Sequence, residues 1–285
     1  MYLAVEEAAG LVDTACSRER MWPALTAFED LIVSPVVFNT VAGGGLSFDF
    51  TTPLSAGDPY EHALAHHLVQ ETHHPVRALF SQVQERLPVH SYGVDYGIGG
   101  HFNKTYAFFA MGDLQSLAHL AGIPAMPPGL AAHLDTFTRY GLDAKVSALA
   151  VDYARRTWNV YFNALSAQHL ERGTVRAMLR DFGLPEPSEQ MLDFAGASGA
   201  LYPTFAWDSP RVERICFSLR TTDPAALAPH IEPRLEKLAR NAPYTYDGER
   251  VLVYAGALAP GKEYYKLATY HQMVSAAHDR VRPAS

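Results

Sequence analysis

Cations recur in this chain on one side of strand-like runs, each followed at two-residue spacing by small, polar or phenolic side chains. Lys104 alternates with Tyr106, Arg155 with Thr157, Asn159 and Tyr161, and Arg214 with Cys216 and Ser218. Lys266 shares a run with Tyr264, Ala268 and Tyr270, and a fifth run sets Ala200, Tyr202 and Thr204 against Leu201, Phe205 and Trp207. Residues two apart on a strand share a face. The opposite faces are apolar, with Ala107 and Phe109, then Trp158, Val160 and Phe162, then Ile215, Phe217 and Leu219. On a sheet with one wet side, the polar rows are simply solvated. On a sheet closed into a cylinder with helices outside, they line a lumen. Lys104, Arg155, Arg214 and Lys266 then converge beside Tyr106, Tyr161, Tyr202 and Tyr270. Cations gathered in one cavity repel unless an anion sits among them. A phosphate or diphosphate is the anion suited to this mixture. Phenol faces suit a cationic or aromatic partner. A diphosphate that leaves and a carbocation that stays behind would use both sets.

The elements that must position these groups follow from spacing. Five pairs of strand-like runs are legible: 36–41 with 46–52, 89–96 with 105–109, 145–151 with 157–165, 199–207 with 213–219, and 250–258 with 263–270. Gly- or Pro-containing turns join four of the five pairs, a hairpin signal. The pairs start about every 50 to 56 residues, a period that marks a repeat architecture. Between them, Met21, Leu25, Phe28 and Ile32 fall on one helical face, as do Val76, Phe80, Val83 and Leu87. So do Leu130, Leu134 and Phe137, then Val175, Leu179 and Phe182. Pro124, Pro127 and Pro128 divide the third gap into two helices, and Gly173, Pro185 and Pro187 do the same in the fourth. Each unit reads helix–helix–strand–strand. The fold class is α+β: a ten-stranded antiparallel barrel from five ααββ repeats, since closure removes the edge strands. Ten strands enclose more space than their own side chains fill, so a ligand cavity is expected. No linker divides the chain, which reads as a single domain over 1–285.

Composition excludes whole classes. The 285 residues carry 23 basic and 30 acidic side chains, a formal charge of −7, and the pI is about 6.0. That balance argues against a nucleic-acid partner and against a polybasic membrane anchor. Cys16 and Cys216 are too few for a disulfide framework and fit a reducing compartment. Glu6 and Glu7 occupy the place where a secretory leader would be positive, and no apolar run reaches 18 residues. The expectation is a cytoplasmic protein that needs neither membrane nor partner subunit, hence a monomer.

The ordered motifs Gly57-Asp58-Pro59-Tyr60, Lys104-Thr105-Tyr106-Ala107-Phe108-Phe109, Ile123-Pro124-Ala125-Met126-Pro127-Pro128 and Arg139-Tyr140-Gly141-Leu142-Asp143 carry a resemblance. Asn159-Val160-Tyr161-Phe162, Leu165-Ser166-Ala167-Gln168, Tyr202-Pro203-Thr204 and Tyr264-Tyr265-Lys266-Leu267 continue it. Each is weak alone; in this order and spacing they resemble the soluble aromatic prenyltransferases of the ABBA family, whose fold is the PT barrel. The likeness is greatest to bacterial members that prenylate hydroxynaphthalene-type acceptors. The resemblance implies transfer of a dimethylallyl or geranyl group from an allylic diphosphate to an electron-rich aromatic ring, by Friedel–Crafts-type alkylation in secondary metabolism. It implies a diphosphate site at Lys104, Arg155, Asn159, Tyr202, Arg214 and Lys266, with Arg155 standing where near relatives have lysine. Catalysis then falls to Lys104, Tyr106, Tyr161, Tyr202, Arg214 and Lys266. The prenyl and aromatic pocket is implied at Ser47, Asp49, Tyr106, Ser147, Tyr161, Gly199, Ser218, Ala268 and Tyr270, with Asp95 near the phosphate region.

Departures from the family pattern shape the remaining expectations. Ser47 stands where magnesium-dependent relatives carry their metal-binding aspartate, so no cofactor is required on this reading; Asp49, two residues on, is the metal ligand if magnesium is used. Gly199, Ser147 and Ala268 replace a bulky aromatic, a glutamine and a glycine of the acceptor pocket. No histidine or glutamate offers itself as the base for the ring proton. His62 and His66, spaced i and i+4, could be read as a metal pair, but Ala63 follows His62 and packing histidines are the plainer reading. The alternative function is a non-catalytic barrel that binds an anionic hydrophobic ligand. Terpene cyclases and diphosphate hydrolases want aspartate-rich metal motifs, and none is present.

Overall fold

A computed structural model of the chain describes residues 1–226 and 232–273. Ten strands, β1 (Val33–Val41), β2 (Leu46–Pro53), β3 (Val89–Gly97), β4 (His101–Phe109), β5 (Val146–Asp152), β6 (Thr157–Phe162), β7 (Ala200–Ala206), β8 (Val212–Thr221), β9 (Leu252–Ala259) and β10 (Lys262–Gln272), pair in chain order. Every pairing is antiparallel, and β1 bonds both β2 and β10, so the sheet is a closed barrel. The five expected hairpins are all there, several a few residues longer than the pattern indicated.

Burial alternates as the sequence implies. Along β10, Leu267, Thr269 and His271 are buried, whereas Lys266, Ala268 and Tyr270 keep part of their surface accessible. The buried set faces outward under the helices, and the core lies in that shell. Phe28 of the segment after α2 (α1 is Tyr2–Leu11, α2 Arg18–Ala27) meets Phe50 at 5.1 Å between ring centroids. Helices α3 (Pro59–Ala65) and α4 (Leu79–Arg86) cover the second unit. The Asp58 carboxylate caps α3 by accepting from Tyr60 N at 2.9 Å, with Pro59 opening the helix, which accounts for Gly57-Asp58-Pro59-Tyr60. His62 packs on Phe28 at 4.7 Å and its Nε2–H donates to Ala27 O at 2.7 Å, in keeping with the packing reading.

The third gap differs from expectation. It holds three short helices, α5 (Leu117–Ala121), α6 (Gly129–Ala132) and α7 (Leu134–Arg139). His133 leaves the helical conformation at φ −114° because its Nε2–H reaches Pro210 O at 2.8 Å, a tertiary contact that local spacing does not reveal. Gly173 is not a break: it lies in the first turn of α8 (Arg172–Asp181), where backbone N–H groups lack intrahelical partners anyway. The division falls at Pro185 and Pro187, before α9 (Glu189–Ala197). Gly256 on β9 lets α9 approach; a Cβ there would sit 2.7 Å from Phe194 Cδ1. The last helix is α10 (Pro233–Asn241). Among the described residues no helix is long and apolar enough to cross a membrane.

Candidate active site in the barrel lumen

Register aligns the polar rows. Asp49 on β2 lies opposite Asp95 on β3, Asp95 opposite Lys104 on β4, and Lys104 opposite Asp152 on β5. Directly opposed residues share a face, so these four form one belt on the lumen wall. Asn159 on β6 faces Thr204 on β7, which faces Arg214 on β8. On the closing side, Ala255 of β9 stands between Ser218 and Lys266, and Ala257 between Cys216 and Tyr264.

Three of the expected cations come together. Lys266 Nζ lies 3.6 Å from Cys216 Sγ and over the rings of Tyr202 and Tyr264 at 5.6 and 5.7 Å. Burial pushes the Lys266 ammonium down to about 8, and the charges of Arg214 and Lys104 push the same way. Arg214 has its Nε buried without a partner among the described residues. Neither Arg214 nor Lys266 pairs with a carboxylate among the described residues. Lys104 is held 3.8 Å from Asp152, whose carboxylate is fully buried. Sequence reasoning did not find Asp152, although it ends the β5 alternation in register with Lys104.

Arg155 does not share the strand face of Thr157, Asn159 and Tyr161 as the alternation implied, although its charge still acts on Tyr264 of the lumen wall. Strand β6 starts at Thr157, and Arg156 adopts φ 54°, so the alternation does not extend back to Arg155. Its side chain is 63% exposed on the β5–β6 turn at the barrel mouth, with Nη1 3.2 Å from Asp152 Oδ2. The turn cannot keep two-residue phase, and the nearby carboxylate captures the guanidinium.

The phenols form a continuous row. Tyr202 stacks on Tyr161 at 4.6 Å, Tyr161 meets Tyr106 at 6.2 Å, and Tyr106 stacks on Phe108 at 5.5 Å. Phe108 belongs to the same lumen face as Lys104 and Tyr106, and extending the alternation by two residues reaches it. Burial raises the hydroxyls of Tyr106, Tyr161 and Tyr202 well above the phenol range, so all three stay neutral. Asn159 is buried, its amide donating to Thr204 Oγ1 and its Oδ1 unpartnered.

Asp49 accepts from the Tyr106 hydroxyl at 3.4 Å and has its Oδ1 buried without a partner among the described residues. Burial, then repulsion from Asp95, holds its carboxyl well above the carboxylate range. Asp95 accepts from Asn103 Nδ2 at 2.8 Å. Among the described residues no three His, Cys, Asp or Glu side chains gather as a metal site. Ser47 sits on the same strand face as Asp49, opposite Asn39 and Gly97.

The other end of the lumen holds the remaining predicted groups. Ser218 lies opposite Ala200, and Ala268 and Tyr270 continue the Lys266 face. Gly199 is exposed at the bend before β7, one residue ahead of the lumen-facing Ala200, and an added Cβ there would meet nothing within 4 Å. Ser147 is drawn into the wall at a bulge: its hydroxyl donates to Tyr161 O at 3.2 Å and accepts from Asn163 at 2.6 Å.

The wall as a whole can hold a polyanion at one end and a carbocation along the phenols, with an aromatic acceptor beyond. Comparison with known proteins agrees. Residues 1–278 match the family described as "Aromatic prenyltransferase Orf2". The chain is 46% identical over 277 residues to "Flaviolin linalyltransferase" of Streptomyces virginiae, covering 95% of this chain and 91% of that protein. It is 42% identical over 282 residues to "Furaquinocin biosynthesis prenyltransferase" of Streptomyces sp. (strain KO-3988), covering 97% and 91%. A crystal structure of NotF in complex with brevianamide F and DMSPP shares the fold, with a TM-score of 0.53 at 12% identity over 96% of this chain and 92% of that one.

Proposed function

The chain belongs to the aromatic prenyltransferase Orf2 family, and from that premise we propose that it transfers a dimethylallyl or geranyl group from its diphosphate to a hydroxynaphthalene-type ring, without a metal. It is thus a transferase of secondary metabolism, and the purely ligand-binding barrel is set aside. The observation that carries the reading is the convergence of Lys104, Arg214 and Lys266, two of them without a carboxylate, at one end of a row of phenol rings.

On this reading the diphosphate settles among Lys104, Arg214 and Lys266, with Asn159 and the Tyr202 hydroxyl as hydrogen-bond partners and Arg155 at the mouth. The allylic C1–O bond breaks and its electron pair leaves with the diphosphate. Preorganised cations act where that charge develops. The positive charge left on the allyl fragment lies against Tyr106, Tyr161 and Tyr202, each ring face contributing on the order of 1–2 kcal/mol when desolvated. A ring carbon of the acceptor, packed against Tyr270, forms the new C–C bond. The ring proton then passes to water or to the departing diphosphate, and aromaticity returns. Barrel walls keep bulk water from the cation. Neutral Asp49 donates or accepts a hydrogen bond at the wall rather than holding magnesium. All these groups come from one chain, which supports a monomer, and the free Cys16 and Cys216 fit the reducing cytoplasm.

The test is a panel of dimethylallyl and geranyl diphosphates against dihydroxynaphthalenes, followed by mass spectrometry. An added prenyl mass is expected in at least one pair. Absence of any adduct across the panel would overturn the proposal.

A further inference from the structure

Beyond the diphosphate cradle the lumen contains another cation that the mechanism leaves unused. Arg220 continues the β8 row Arg214, Cys216, Ser218. It lies in register with Val253 of β9, which in turn faces Ala268 of β10, so it projects from the same lumen wall. Six residues separate it from Arg214, about 20 Å along the strand. One diphosphate cannot be shared between them.

The guanidinium sits 5.0 Å from the Tyr270 ring. Its Nε and Nη2 are both buried and have no hydrogen-bond partner among the described residues. These two nitrogens form one edge of the planar group, with two N–H bonds pointing the same way. That edge matches a pair of oxygens sharing one negative charge. On this half-buried arginine a buried edge left empty is costly unless a ligand completes it.

We infer that Arg220 selects the acceptor, binding through its Nε–Nη2 edge an aromatic ring that bears a two-oxygen anion, either a ring carboxylate or an ionised hydroxyquinone. The inference rests on the transferase reading and specifies that reading's acceptor. With the anion held at Arg220 and the ring near Tyr270, the acceptor's nucleophilic carbon is directed back toward the phenol row. Ser218, Ala200 and Ala255, small residues in register on the same lumen face, leave room for it.

The probes are 1-naphthol, 1-hydroxy-2-naphthoate and lawsone, compared by fluorescence titration and by kcat/KM with dimethylallyl diphosphate. The protein as it stands binds at least one of the two anionic probes more tightly than 1-naphthol. In Arg220→Gln that preference falls about 30-fold, and Arg220→Lys, which keeps charge but loses the paired edge, recovers only part of it. Preference for the hydroxynaphthoate alone identifies a carboxylate; preference for lawsone alone identifies a hydroxyquinone. Equal binding of charged and neutral probes, or a preference unchanged in Arg220→Gln, overturns the inference. If Arg220→Gln does not fold, Arg220→Lys carries the comparison: a preference for the anionic probes unchanged in that variant overturns the inference. If no donor–acceptor pair gives product, the transferase reading fails, and the titrations judge the anion site separately.

Discussion

Lys266 Nζ rests against Cys216 Sγ at 3.6 Å, with phenol rings rather than carboxylates around it. A cation so placed is poorly compensated, and two further cations share its surroundings. The site is built to be completed by an anion.

Replacing Lys266 by Met should stabilise the ligand-free protein and abolish transfer. The ammonium is held near 8 in the fold against 10.5 when free. The unfolded chain therefore binds the proton more readily, and below pH 8 the folded state bears the full cost of the charge. Its removal raises stability at pH 7 by on the order of 1–3 kcal/mol. Chemical denaturation with parallel activity assays checks both halves; a destabilised variant contradicts the account.

The same shift makes diphosphate binding pH-dependent. Bound diphosphate favours the protonated amine, so affinity is complete below pH about 8 and weakens above it, by up to about tenfold per pH unit. Calorimetric titration with inorganic diphosphate between pH 7 and 9.5 measures this. Lys266→Arg, which stays charged throughout, should flatten the added slope.

Lys104→Ala and Arg214→Ala should each lower kcat/KM by at least about 100-fold, because each removes preorganised charge from the leaving group. Near-normal turnover in both variants would remove these residues from the diphosphate site.

Tyr161 tests whether rings or hydroxyls matter. Its ring stacks on Tyr202 at 4.6 Å. Tyr161→Phe keeps the face and should retain turnover within about tenfold; Tyr161→Ala should lose on the order of 100-fold. Equal losses in the two would assign the effect to the hydroxyl.

Turnover should persist in excess EDTA, and Asp49→Asn should leave the magnesium response as flat as in the parent. Loss of activity in EDTA, restored by magnesium, would make Asp49 and Asp95 metal ligands instead.

Much of the architecture was legible in the residues because its determinants are local. Two-residue alternation, five turns and a regular period specify ten strands whichever way they are later arranged. The lumen faces of Lys104, Tyr106, Asn159, Tyr161, Tyr202, Arg214 and Lys266 followed from the same period. Alternation holds only within a strand. Arg155 lies one turn outside β6, and there the period predicts nothing, so the exposed turn and the Asp152 carboxylate decide its place. His133 breaks a helix for a carbonyl 77 positions away in the chain.

By itself, then, the sequence determined ten strands in five pairs with cations and phenols gathered on one face, since burial pattern and spacing carry that information residue by residue; closure into a barrel was the arrangement that leaves no edge. Tertiary structure decided which of those groups meet. Register between strands sets Lys104 against Asp152, brings Lys266 beside Cys216, and leaves the Nε–Nη2 edge of Arg220 unpartnered among the described residues at the far end. Register is a property of pairs of strands distant in sequence, fixed by closure and packing of the whole sheet, and no single run of residues encodes it.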